Sequence, residues 1–194
     1  MSSNAFTNHL RPVLQDADEV LDAQVRLNTA MAPPPAPGTL WGIGALNRAA
    51  VVMLVSAWEA YIEQIAIEAV EALRPAGPLP LGNWPALYAA VKASAGKLHQ
   101  PNVQNVKMLI SGSTGLPDIT ASWTWTGITV RDACQKLEDA VGTRNRVAHG
   151  ARPLIQTAYA TDLQVFFQQL ASHTDAGIRD YLMNILGIAS PWPP

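Results

Sequence analysis

From Leu40 to Leu73, apolar residues recur at helical spacing across a band too wide for one packing partner. Leu46, Ala50, Met53, Leu54, Ala57, Trp58, Tyr61, Ile62, Ile65, Ala69 and Leu73 spread over more than one face. A helix apolar on that many sides belongs at the centre of a helical assembly. Proline marks both its ends. Pro33, Pro34, Pro35 and Pro37 make Ala32–Gly38 a stiff, extended connector, so the helix begins beyond it, near Gly44. Arg74-Pro75-Ala76-Gly77-Pro78 stops it.

The rest of the chain supplies amphipathic helices to cover that band. Asn4–Met31 repeats Phe6, Leu10, Val13, Leu14, Ala17, Val20, Leu21, Val25 and Leu27, with Asp16, Asp18, Glu19 and Asp22 on the solvated side. Pro12 implies a late start or a kink. Asn83–Leu98 is a shorter helix with Pro85 in its first turn, and Asn102–Ile110 is another. Ser111–Gly127 reads as a loop or short extended piece, pinned to the core by Trp123 and Trp125. Thr129–His149 is a long helix, with Thr129 and Asp132 spaced as a capping box and Gly150 suited to the left-handed residue after a helix. Thr157 or Thr161 opens the last helix. Its inner face is Leu163, Phe166, Phe167, Leu170, Ile178, Tyr181, Leu182, Ile185 and Leu186. With no convincing strand, the expected class is all-α. The expected organisation is an N-terminal helix with its proline-rich linker (1–39), a helical domain (40–189) and a short tail (190–194), forming one compact domain.

Hydrophobic residues make up 48% of the 194 and charged residues only 14%, enough for a large core and compatible with a buried homodimer face. A net charge of −2 excludes a globally basic nucleic-acid binder, so any RNA contact must be local. A single cysteine, Cys134, cannot form an intrachain disulfide and suits a reducing compartment. It lies on an apolar stripe and reads as core filler. The polar segment Met1–Arg11 lacks a signal-peptide pattern, and the apolar run Ala49–Ala57 is short for a bilayer span. The expectation is a cytoplasmic protein with no membrane partner. His9, His99 and His173 are scattered, so neither a metal nor another cofactor is expected.

The chemistry concentrates in Arg144-Asn145-Arg146-Val147-Ala148-His149-Gly150. Val130, Ala133, Cys134, Leu137, Val141, Val147 and Ala148 form the apolar stripe of this helix, and Arg144 falls inside it. An arginine at a core-facing position is costly unless its charge is paired. Glu59, on the central helix, is a candidate partner or a contributor to a binding cleft; a rim carboxylate in water is the plainer alternative. Asn145 and His149 stack one turn apart, and Glu138 and Gly142 extend their polar stripe. Gly142 costs about 1 kcal/mol relative to alanine, which makes sense where something approaches closely. Arg144 and His149 sit roughly 140° apart on the wheel. Either the last turn is distorted or a second subunit completes the site. Arginine grips phosphate and stabilises its growing charge, and histidine exchanges protons near neutral pH. Together they suit cleavage of RNA, which carries its own 2′-hydroxyl nucleophile. The plainer account is that Arg and His in a last turn complement the helix dipole.

This stretch resembles the Arg-x4-6-His signature of the HEPN superfamily, in which the residue after the arginine is often polar. Leu46–Tyr61 looks like the preceding long helix of the RiboL-PSP-HEPN type. Pro101-Asn102-Val103-Gln104-Asn105-Val106 and Gly115-Leu116-Pro117-Asp118-Ile119 look like its connecting segment. The resemblance covers roughly residues 40–185. It implies a helical bundle, dimerised so that two motifs at the interface face one cleft. It also implies a metal-independent endoribonuclease leaving 2′,3′-cyclic phosphate and 5′-hydroxyl ends, often a toxin or a phage-defence protein, with an antitoxin or other regulatory protein as a partner. Carried over by residue, Arg144 binds and stabilises the phosphate, His149 is the acid/base group and Asn145 supports it. Arg146 is an extra cation for RNA. Some members are not active nucleases, so a dimeric module of the same fold that binds nucleotide, RNA or protein is the second reading.

Overall fold

The computed structural model describes residues 2–30, 44–75 and 82–192. The proline-rich stretch Ala32–Gly38 and the Ala76-Gly77-Pro78 stop signal lie outside the described residues. Among the described residues six α-helices follow one another: α1 (Arg11–Ala30), α2 (Gly44–Ala72), α3 (Trp84–Ala95), α4 (Val103–Thr114), α5 (Val130–Ala148) and α6 (Thr157–Asn184). The fold is all-helical, as its periodicity predicts. Among the described residues the only β-type pairing is one bridge between Trp125 and Ile128.

Helix α2 contacts every other helix. Ala50, Leu54, Ala57, Trp58, Tyr61, Ile62, Ile65 and Ala69 are buried along it. By length and composition the whole of α2 would suffice to cross a membrane, more than the run Ala49–Ala57 alone suggests, but over half of its most apolar window is packed inside the fold. Trp58 is the hub. Its ring lies 5.5 Å from Tyr61, 6.1 Å from Trp123 and 6.0 Å from Phe167, centroid to centroid. Each polar edge in this aromatic cluster is satisfied, as buried donors require. Trp58 Nε1 donates to the Pro101 carbonyl (3.1 Å), Tyr61 Oη to Ala171 (2.9 Å) and Trp123 Nε1 to Thr174 Oγ1 (2.9 Å).

Local chemistry explains where the helices depart from the expected limits. Ahead of α1 the chain makes a wide π-type turn, Ala5–Leu10, with Arg11 N–H bonded to Phe6. Pro12 follows at once. It has no N–H for Asn8 and its ring crowds that carbonyl, and the wider turn absorbs the conflict. Helix α4 runs on to Thr114, four residues past the expected end at Ile110. Ser113 and Thr114 return their hydroxyls to the Ile110 carbonyl (3.0 and 2.8 Å), so polar side chains that read as loop are buried within a helix. Val25 and Leu27 are exposed and Gln24 is buried instead, hydrogen-bonded to Thr157 at 2.9 Å. Ile185 and Leu186 are also exposed, because α6 ends at Asn184. In the tail, Trp192 is buried. Among the described glycines, Gly177 of α6 makes the tightest approach: a Cβ there would come within 2.7 Å of Ser122 Cβ, in the turn that carries Trp123.

Candidate active site at the end of helix α5

Thr129 caps α5 as its spacing predicts: its hydroxyl accepts from Asp132 N–H (3.2 Å), and Asp132 accepts from Thr129 N–H (3.1 Å). The buried stripe is Ala133, Leu137, Ala140, Val141 and Thr143. Val130, Cys134 and Val147 are half-buried and Ala148 is exposed, so the stripe fades before the motif ends. The helix stays regular to Ala148. His149 is the cap residue (φ −86, ψ 15), its N–H bonded to Asn145, and Gly150 turns the chain with φ +85.

Arg144 behaves as a stripe arginine must. Its Nη2 donates to Glu59 Oε2 at 2.6 Å and to the His99 carbonyl at 3.1 Å. Its side chain keeps only 17% exposure, against 23% for Glu59. Nε is buried without a partner. Burial pushes the Glu59 carboxyl up more than Arg144 and His99 pull it down. Glu63, one turn on, is also raised, by burial and by Glu59, with His99 opposing. Desolvation thus offsets part of what Glu59 gains from pairing with the guanidinium. Replacing Glu59 with alanine strands the guanidinium and is expected to lower the unfolding free energy by about 1–3 kcal/mol. The Glu59→Ala/Arg144→Ala double variant should lose less than the two single losses added, by about 0.5 kcal/mol or more. Denaturant unfolding of the four proteins measures the difference, and strict additivity would mean the pair is incidental.

The structure thus brings Arg144 and Glu59 together and adds His99, which residue spacing does not reveal because it enters through its backbone carbonyl. It does not aim Arg144 and His149 at one point. Arg144 turns in toward α2, while His149 is exposed and its ring has no hydrogen-bond partner among the described residues. The helix carries no distortion before Ala148 that would bring the two side chains together. Asn145 is half-buried and Arg146 is exposed, its Nη2 donating to Thr143 Oγ1 at 2.9 Å. Glu138, on the same stripe as Asn145, accepts from Val103 N–H (3.0 Å) and ties α5 to α4. A Cβ at Gly142 would meet no atom within 4 Å among the described residues, so the close approach its glycine would permit is not made by them. Among the described residues no three His, Cys, Asp or Glu side chains gather as a metal site would need.

The described residues thus form an all-helical domain with a core-paired arginine and an exposed histidine five residues on, at the end of one long helix. A model of the RiboL-PSP-HEPN family matches residues 42–176, from the start of α2 well into α6 and including all of α5. The chain belongs to that family. No significant match was found among curated proteins or among solved structures.

Proposed function

We propose that this chain is a metal-independent endoribonuclease acting as a homodimer, with the ends of two α5 helices facing one cleft. The observation that carries the reading is the contrast between the two side chains of the motif. Arg144 is fixed by Glu59 and His99, whereas His149 is exposed and unengaged. A fixed arginine suits charge stabilisation, which needs preorganisation. A free imidazole suits proton transfer. Gly142, open on the same helix, leaves room for a second α5 to approach.

In the reaction, His149 of one subunit takes the proton of the 2′-hydroxyl. The 2′-oxygen bonds to phosphorus, the P–O5′ bond breaks, and the 5′-oxygen leaves with a proton from the other subunit's His149. Arg144 balances the charge on the non-bridging oxygens, and Asn145 orients the imidazole or the phosphate. The products carry 2′,3′-cyclic phosphate and 5′-hydroxyl ends. The test is cleavage of total and structured RNA in EDTA, with product ends identified. Cyclic phosphate ends are the expected result. Products with 3′-hydroxyl ends, or activity abolished by EDTA, would overturn the mechanism. Should the protein bind RNA through this face and cut none, the second reading, a binding module, takes its place. The local exposure of Arg146 on a chain of net charge −2 fits either reading.

A further inference from the structure

A cavity of about 360 Å³ opens where α5 ends and α6 begins. One wall is the last turns of α5, at Thr143 and Arg146. The other is the segment after His149, through Pro153, Leu154 and Ile155, and the first turn of α6 at Tyr159. Three features of this cavity ask for a ligand. Leu154 is 67% exposed, an aliphatic side chain left at the mouth with no cover. Arg146 has no carboxylate partner among the described residues, and its one bond, to Thr143, holds the guanidinium at the rim. Tyr159 is half-buried, so it presents a partly shielded aromatic surface; burial raises its phenol, with the Thr143 hydroxyl opposing, and it stays neutral. Of the two carboxylates whose charge acts on Tyr159, Asp139 and Asp162, the second is paired with Lys136. Arg152, also exposed, sits in the wall segment just before Pro153.

We infer that this cavity is a nucleotide subsite, taking a base against Leu154 and Tyr159 and an adjoining phosphate on Arg146. Its volume is at the lower end of ligand pockets, which run from ~300 to 1,000 Å³, and suits a single nucleotide. Aromatic and aliphatic surface takes a base face, and an arginine fork takes a phosphate. Its position relative to the motif matters as much. At about 100° per residue, Arg146 is roughly 60° from His149 around α5 and roughly 160° from Arg144. The cavity therefore opens on the His149 side, and its second wall is the continuation of the chain from His149. A strand whose scissile phosphate reaches His149 passes the mouth, and a neighbouring nucleotide enters it. The inference rests on the RNA-acting reading and gives that reading a source of base preference.

The test separates the two claims by using RNA that no 2′-hydroxyl mechanism can cut. Binding of 2′-O-methyl homo-oligomers of each base is measured by fluorescence anisotropy for the full chain, with free AMP, GMP, CMP and UMP as competitors. Leu154→Asn takes the apolar surface from the mouth at an exposed position, Arg146→Ala removes the fork, and Arg131→Ala at the far end of α5 controls for net charge. Thermal unfolding confirms that each variant is folded. The first two are expected to weaken binding by about tenfold, the order of one base contact or one phosphate contact, and Leu154→Asn to flatten the ranking of the four bases. The control should bind within about twofold of wild type. Wild-type affinity and ranking in both variants would overturn the subsite, whatever the cleavage assay shows. Failure of wild type to bind any oligomer or mononucleotide would overturn it too. If mononucleotides bind and Arg146→Ala releases them while no RNA is bound or cut, the subsite stands as a free-nucleotide site and the nuclease reading falls.

Discussion

Replacing His149 with alanine is expected to lower RNA cleavage by roughly 10²–10⁴-fold, the usual contribution of a positioned acid/base group, and to leave thermal unfolding unchanged. The second half of that expectation makes the first half decisive. His149 is exposed and its ring bonds to nothing in the chain among the described residues, while the helix end it caps is held by backbone bonds, His149 N–H to Asn145 and Gly150 N–H to Val147 at 3.0 Å each. Removing the ring therefore deletes chemistry without deleting structure. Arg144→Ala cannot separate these, since the same guanidinium pairs with Glu59. Cleavage by His149→Ala at the wild-type rate would sink the assignment. Because one regular helix points Arg144 and His149 apart, a mixture of the Arg144→Ala and His149→Ala proteins is informative as well. The proposed reaction uses the His149 of both subunits, so a mixed dimer, which carries only one, should stay inactive; recovered activity would mean that a single histidine suffices and would overturn the two-histidine step.

How far this site was legible depends on what kind of atom carries each contact. Arg144 stands out in the sequence because a charge in an apolar stripe needs a partner, and Glu59 is the acid one would name from the adjoining helix. The His99 carbonyl is invisible in that reasoning, because any residue has a carbonyl and only the path of the chain after α3 brings this one to the guanidinium. The same limit explains the cavity beside the motif. Leu154 and Tyr159 have no pattern linking them to Arg146; the turn at Gly150 and the entry into α6 create the relation. Periodicity located all six α-helices, since their inner faces are long and regular. It failed where side chains break the usual rule. Ser113 and Thr114 bury their hydroxyls against their own helix, and Val25 and Leu27 lie off the stripe of α1 on which Leu21 and Gln24 are buried. The wide apolar band of α2, by contrast, implied its central place directly, because no other arrangement covers so many faces.

That centre is joined to the site through Trp58, and the largest loss of stability is expected there. Trp58→Ala removes a fully buried indole packed on Tyr61, Trp123 and Phe167, and should cost about 3–5 kcal/mol. Chemical denaturation would show it as a fall in midpoint at unchanged slope. Trp58→Phe is the sharper experiment. It keeps most of the ring volume but deletes the N–H that bonds the Pro101 carbonyl at 3.1 Å, leaving that carbonyl unsatisfied at a cost of about 1–3 kcal/mol. Pro101 is two residues from His99, whose own carbonyl holds Arg144, and Glu59 is the next residue after Trp58. Loosening this anchor should therefore let both partners of Arg144 drift, and cleavage should fall at temperatures well below the unfolding midpoint. Ile178→Val is the comparison, since it trims a fully buried side chain of α6 for about 0.5–1.5 kcal/mol. It should leave cleavage at the wild-type rate under the same conditions. Equal losses of activity in the two variants would mean that cleavage merely tracks overall stability. A selective loss in Trp58→Phe would establish that the core tryptophan sets the geometry of the arginine.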